Sequence, residues 1–189
     1  MATDYNYVIP GVVPAIAQPS ENTCWATAAT MLVSWRDQAS YAIEQVMDAA
    51  GSEKENFLFV LGFQGEQPMN YTVDGLLSLL QSYGPLWITT EEEPFSVHAR
   101  ILIATSGNGS VDGTFLEFID PVGGQTYDES FRQFGQKFEA LVDPDYSLRV
   151  QIVYCPTSTT PREKGGTGVS SEPAPEEGSV PEEGSDEDV

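Results

Sequence analysis

The sequence contains a single histidine, His98, and only two cysteines, Cys24 and Cys155, among its 189 residues. Two cysteines are too few for the disulfide framework that is typical of small secreted proteins. One histidine and no cluster of cysteine and histidine residues argue against a zinc site, and no motif calls for another metal or cofactor. If an imidazole of this chain assists a nucleophile, it must therefore come from His98.

Basic residues are also scarce, since eight Lys and Arg residues face 29 Asp and Glu residues and the net charge is −21. Residues 156–189 hold nine of the acids and two of the bases, so this segment carries −7 and the first 155 residues carry −14. A field of this sign repels phosphate, and we expect no nucleic-acid partner. It favours a basic protein partner for the acidic segment, or a role in solubility.

The sequence lacks any apolar run of the length of a membrane span. Its first residues, MATDYNYVIPGVV, lack the basic residues and the long apolar core of a secretory signal. We therefore expect a cytoplasmic protein, or one exported by a route that needs no cleaved signal peptide. The sequence does not indicate an oligomeric state.

Apolar residues make up 40% of the chain and aromatic residues 11%, which is enough for one packed domain of this length. We place that domain at residues 1–155. From residue 156 onward Pro, Glu, Gly and Ser dominate and no aromatic residue remains. Residues 156–189 are therefore predicted to be a disordered acidic tail, because they bury too little apolar surface to offset the entropy of ordering.

The apolar pattern predicts an irregular or short extended arm over residues 1–17, then helices, and then an antiparallel sheet, which is an α+β order. The predicted helices are one that begins at Cys24 with Ser20 or Asn22 as its cap, one between Ser40 and Gly51, and one between Thr72 and Gly84. The predicted strands cover residues 86–89, 97–104, 114–119 and 147–154. Residues 126–140 are predicted to form one or two short helical turns, residues 53–63 are ambiguous between helix and strand, and a loop follows them.

Cys24 lies where the first predicted helix begins, and a helix N-terminus stabilises a thiolate through its free N–H groups and its dipole. His98 lies near the start of one predicted strand and Asp120 at the end of the next. A hairpin of these strands would bring the two together, so that the carboxylate orients the imidazole. Gln18 precedes Cys24 by six residues, and its amide with the Cys24 N–H would hold an oxyanion.

Each of these residues also has a simpler interpretation. A lone cysteine in a helix is more often a small core residue, and Asp120 before Pro121 is an ordinary turn initiator. Asp112 is a rival for the carboxylate role, although it lies in a glycine-rich turn. Cys155 ends the last predicted strand and is interpreted as structural. The acidic run at residues 91–93 is either a solvated loop or a flank of the cleft that favours basic substrates.

Together, Gln18, Cys24-Trp25-Ala26, His98-Ala99 and Asp120-Pro121 resemble the papain-like cysteine peptidase superfamily, and the short spacing from cysteine to histidine resembles its compact bacterial members. The resemblance covers roughly residues 16–122. It implies a helical lobe that carries the nucleophile, packed on a small antiparallel β-sheet that carries the histidine, with a cleft between them. Papain itself has asparagine where this chain has Asp120, and a glycine-rich run where it has residues 21–23.

The resemblance also implies the activity. We expect a cysteine peptidase that hydrolyses a peptide or isopeptide bond of a protein or peptide substrate through a Cys24–His98–Asp120 triad and a thioester. Several compact members of the superfamily are effectors or toxins that cleave host proteins. An acyltransferase or transglutaminase-like enzyme would use the same triad. A catalytically silent binding module, acting through its acidic surface and tail, is the alternative outside enzymes.

Overall fold

The structure is a computed structural model that describes residues 4–51, 60–91, 96–142 and 151–156. The predicted acidic tail lies outside the described residues, except for Pro156. Most of the ambiguous segment 53–63, two of the three glutamates of the acidic run and the first residues of the predicted strand 147–154 also lie outside them. The proposed boundary between a domain at 1–155 and a tail stays a prediction.

The described residues form an antiparallel sheet whose strands follow the order β2-β7-β3-β4-β5-β6, with β1 paired to β4. The strands are β1 Tyr5–Val8, β2 Gln64–Gly65, β3 Leu86–Glu91, β4 Val97–Gly107, β5 Thr114–Asp120, β6 Gln125–Ser130 and β7 Ile152–Tyr154. The predicted hairpin of the second and third strands is present as β4 and β5. Strand β4 lies at the centre and pairs with three strands, because it is eleven residues long and mostly buried.

Helices pack against the sheet, which confirms the predicted α+β class. They are α1 Cys24–Asp37, α2 Ile43–Ala50, α3 Val73–Tyr83 and α4 Phe131–Glu139, and a short 3₁₀ turn follows at Ala140–Val142. Every residue of α1 from Ala26 to Trp35 is buried, as expected for a helix whose small and apolar residues occur on all sides. The indole of Trp35 donates to the Pro10 carbonyl at 2.9 Å and fastens the N-terminal arm to this helix.

The prediction of helical turns over the whole of 126–140 is wrong in its first part, where the chain forms β6. Residues Gln125–Ser130 pair with β5 along their full length, and this pairing, more than their weakly alternating composition, makes the segment extended. The helix begins only at Phe131, where the Ser130 hydroxyl accepts the Gln133 N–H at 3.3 Å. Its aromatic side chains then face the core as predicted.

Three smaller predictions are also corrected. The cap residue of α1 is Thr23, not Ser20 or Asn22, because the Thr23 hydroxyl donates back to the Ser20 carbonyl at 2.8 Å and closes a turn before the helix. The second helix begins at Ile43 rather than at Ser40. Part of the predicted loop after residue 63 pairs with β7 as the short strand β2. Among the described residues, none of the helices has the length and apolarity needed to cross a membrane.

Candidate active site

The β4–β5 hairpin places His98 next to Asp120. Ile101 lies opposite Ile119 in the register, so the start of β4 adjoins the end of β5. His98 Nε2 lies 2.7 Å from Asp120 Oδ1, and the two side chains are 8% and 17% exposed. The same carboxylate oxygen accepts the Val122 N–H at 2.7 Å. Backbone and imidazole therefore fix the carboxylate from two sides.

The Cys24 thiol lies on the other side of the imidazole. Cys24 is the first residue of α1 and is partly buried, and its sulfur is hydrogen bonded to His98. The sulfur also accepts the backbone N–H groups of Ala99 and Trp25. Because His98 Nε2 is engaged by Asp120, Nδ1 is the ring nitrogen left for the thiol.

The electrostatics of the site favour a thiolate. Burial by itself would raise the pKa of the Cys24 thiol, but the hydrogen bond and charge of His98 and the Ala99 N–H lower that pKa below its ordinary value. Burial likewise acts to raise the pKa of Asp120, and the hydrogen bonds from His98 and the Val122 N–H lower it overall. Thiolate and carboxylate thus flank the imidazole and favour its charged form.

Gln18 is held at the end of β5, close in space to the predicted carboxylate. Its backbone N–H donates to the Pro121 carbonyl at 2.7 Å. The segment before it also runs close to the β5–β6 turn, where a Cβ built on Gly124 would lie 2.9 Å from the Ala17 nitrogen. The side-chain Oε1 of Gln18 is buried and has no hydrogen-bond partner among the described residues. Tertiary contacts therefore fix the backbone of Gln18 next to Pro121.

The rival residues lie elsewhere. Asp112 is 71% exposed and forms a surface ion pair with Arg132 at 2.5 Å. Cys155 is 1% exposed, and burial raises the pKa of its thiol to about 12. Glu91 ends β3 opposite Val97, while the next two glutamates lie outside the described residues. The structure thus brings Cys24, His98 and Asp120 together, holds the backbone of Gln18 beside Pro121, and leaves Asp112 and Cys155 apart.

Sequence reasoning missed Arg100, which lies two residues after His98 on β4. It is buried, with 2% of its surface exposed, and its Nη1 donates to the Tyr127 hydroxyl and, at 2.9 Å, to Glu129. Its Nη2 donates to Thr90 at 2.8 Å. A signal was present in the sequence, since a lone arginine interrupts an otherwise apolar strand next to the only histidine.

A thiol, an imidazole and a carboxylate in this order are the groups that nucleophilic attack on a carbonyl requires. A sequence model of the family described as "Papain-like cysteine protease AvrRpt2" matches residues 8–139, a span that includes all four of the residues above. No curated protein matches the chain. The family match covers more than half of the sequence and agrees with the fold and with the resemblance noted from the motifs. The chain therefore belongs to the papain-like cysteine protease family of the AvrRpt2 type, and it is an enzyme, a cysteine peptidase that acts on protein substrates.

Proposed function

We propose that the peptidase hydrolyses a peptide or isopeptide bond through a Cys24–His98–Asp120 triad, with Gln18 in the oxyanion hole. The observation that carries the proposal is the continuous contact from the Cys24 sulfur through His98 to Asp120. His98 lies between the other two groups, so it is the only member that can exchange a proton with the sulfur while bonded to a carboxylate.

In the proposed reaction, the Cys24 thiolate attacks the carbonyl carbon of the scissile bond. The oxyanion that forms accepts hydrogen bonds from the Cys24 N–H and the Gln18 amide. The His98 imidazolium then gives its proton to the leaving amine, and a thioester with Cys24 remains. In the second half, His98 takes a proton from water, and the resulting hydroxide attacks the thioester and releases the acid product and the thiolate.

The first experiment compares Cys24→Ala with Cys155→Ala. Cleavage of a protein substrate, detected as new peptide termini by mass spectrometry, should disappear in Cys24→Ala and persist in Cys155→Ala. Cys24 is the thiol in contact with the imidazole, whereas Cys155 is buried away from it. New termini at the wild-type rate in a folded Cys24→Ala variant would refute the proposal.

A second comparison tests the carboxylate. Asp120→Asn should lower kcat/KM about 10- to 100-fold, because the amide oxygen can still accept a hydrogen bond from the imidazole but no longer supplies the negative charge that stabilises the imidazolium. Asp112→Asn makes the same chemical change in an exposed ion pair and should leave kcat/KM within about twofold of wild type. Equal losses in the two variants would mean that Asp120 has no special role.

We further propose that the enzyme is a bacterial effector or toxin whose substrate is a protein of another cell. The family membership and the resemblance to compact bacterial peptidases support this. Its route to that cell, by export without a cleaved signal, stays a prediction. To identify the substrate, the proteome of each candidate host is treated with the wild-type enzyme or with Cys24→Ala, and the new peptide termini are compared. If wild type and Cys24→Ala give the same termini in every candidate host, the effector role is contradicted.

A further inference from the structure

We propose that Arg100 is a positioning residue for this peptidase, whose buried guanidinium lies on the same face of the β4–β5 pair as Asp120 and supplies the positive charge that balances its carboxylate. The role rests on the proposed triad, because Arg100 would act on the reaction only through Asp120 and His98. Glu129 and Lys137 complete the arrangement by setting the charge of the cluster to which Arg100 belongs.

The register of the hairpin brings Arg100 to Asp120. Ile101 lies opposite Ile119, and extending this antiparallel register by one residue puts Arg100 opposite Asp120. Directly opposed residues of antiparallel strands lie on the same face with Cβ atoms about 4.5–5.5 Å apart. His98 is two residues from Arg100, on that same face. A single stretch of β4 therefore presents both the imidazole and the guanidinium to one carboxylate.

The guanidinium is held rigidly. Thr90 accepts Nη2 at 2.8 Å, Glu129 accepts Nη1 at 2.9 Å, and the ring of Phe118 lies 4.5 Å from the guanidinium carbon. The Nε–H is buried and makes no hydrogen bond within the part of the chain that the structure describes. A buried N–H of this kind is costly to leave without compensation, and a facing carboxylate offers it electrostatic compensation.

The cluster behind Asp120 carries a surplus of positive charge. Glu129 is shared between two cations, with Arg100 at 2.9 Å on one oxygen and Lys137 at 2.5 Å on the other. Two positive groups and one negative group leave a net charge of +1 next to the Asp120 carboxylate. An ion pair of Arg100 with Glu129 alone would have no net charge, so it is Lys137 of α4 that makes the net charge of the cluster positive.

Charges therefore alternate from the surface to the sulfur. The order is Lys137 positive, Glu129 negative, Arg100 positive, Asp120 negative, His98 positive when protonated, and Cys24 negative as the thiolate. Burial by itself would lower the pKa of Arg100, but the charges of Glu129 and Tyr127 and their hydrogen bonds raise it, so the arginine stays charged. Arg100 in turn contributes to lowering the pKa of Asp120.

The titratable and charged groups around Asp120 come from each neighbouring element. They are His98 and Arg100 on β4, Tyr127 and Glu129 on β6, Lys137 on α4, Cys24 on α1 and Glu91 at the end of β3. Removing a positive charge from this set stabilises the protonated form of its acidic groups. The pH at which the Cys24 thiolate forms should therefore rise when Arg100 loses its charge.

The test measures the rate of alkylation of Cys24 by iodoacetamide between pH 3 and pH 9, at low ionic strength. In Arg100→Gln the acid limb of this profile should move upward by about 0.5–1 pH unit. Arg100→Lys keeps the charge and should keep the wild-type midpoint, although the lost hydrogen bonds to Tyr127 and Thr90 lower kcat. A merely structural role would reduce activity in both variants without moving the midpoint.

If Arg100→Gln fails to fold, two milder variants decide the question. Glu129→Gln removes a negative charge and should move the acid limb to lower pH, whereas Lys137→Gln removes a positive charge and should move it to higher pH. Identical midpoints in these two variants, or an unchanged midpoint in folded Arg100→Gln, would overturn the role of Arg100. Absence of low-pH alkylation in the wild type would instead overturn the proposed triad, so the two failures are distinguishable.

Discussion

The β5–β6 turn offers the sharpest test of how Gln18, the proposed oxyanion donor, is positioned. Gly123 and Gly124 are adjacent and both have positive φ, at 76° and 61°. A Cβ on Gly124 would lie 2.9 Å from the Ala17 nitrogen and 3.1 Å from the Ile16 carbonyl carbon. A Cβ on Gly123 would meet only the Gln125 side chain, at 3.5 Å or more. Gly124→Ala is therefore the perturbation, and Gly123→Ala is its matched control.

The expected magnitude follows from these distances. Both variants place alanine at positive φ, which costs roughly 1–2 kcal/mol of stability in each. Only Gly124→Ala must also push a backbone segment away, by several tenths of an ångström, and Gln18 is the next residue of that segment. Because a misplacement of about 1 Å can lower a rate by about 10²-fold, we expect Gly124→Ala to lower kcat about 10- to 100-fold. Gly123→Ala should remain within about threefold of wild type after correction for the folded fraction.

Two assays distinguish a displaced Gln18 from a disturbed Cys24 thiolate. Peptide hydrolysis reports the oxyanion hole, whereas alkylation of Cys24 by iodoacetamide reports only the thiolate, which needs no oxyanion donor. Gly124→Ala should lose hydrolysis and keep the alkylation rate of the wild type. If both glycine variants lose kcat equally, or if alkylation falls together with hydrolysis, contact with residues 16 and 17 does not position Gln18 and the reasoning is refuted.

Two further predictions concern selectivity and stability. Because burial raises the pKa of Cys155 to about 12, iodoacetamide at pH 6 should add one label to the folded protein, on Cys24, and a second only after denaturation; two labels on the folded protein would contradict this. A Cβ on Gly84, at φ 78°, would lie 2.4 Å from the buried Trp35 ring, whereas Gly109, at φ 80°, has open space around it. Urea unfolding should therefore show Gly84→Ala to be less stable than Gly109→Ala by about 1–3 kcal/mol, and equal values would mean that the indole moves aside freely.

Much of the fold could be predicted from local patterns. The continuous apolar and small residues after Cys24 predict a buried helix, and α1 is buried from Ala26 to Trp35. The glycine-rich turn between two apolar runs predicts the β4–β5 hairpin. Strand β6 was missed because its polar alternation is weak and its partner, not its composition, makes it extended. The cap of α1 differs from the prediction because Ser20, Asn22 and Thr23 are all suitable cap residues. The turn closed by the hydrogen bond between Ser20 and Thr23 makes Thr23 the residue at the cap position.

Within the candidate site, the sequence by itself determined which residues were available. A single histidine left His98 as the only imidazole, and the motif around Cys24 gave the chemistry to be expected of it. The choice of Asp120 over Asp112 depended on the register of the predicted hairpin, which the structure provides. The catalytic roles of Gln18, Cys24, His98 and Asp120 stay proposals, while the activity class follows from the family.

Only the tertiary structure decided which charges lie together. The hydrogen bond from the Gln18 N–H to the Pro121 carbonyl joins two distant segments of the chain. Glu129 likewise forms ion pairs with Arg100 of β4 and Lys137 of α4, which belong to different elements. Local patterns carry no information on such contacts, because they depend on how strands pair and on which side chains burial brings to one face. The candidate nucleophile and histidine were thus predictable from the sequence, whereas the burial of Arg100, its ion pair with Glu129 and the close approach of Gly124 to residue 17 were not.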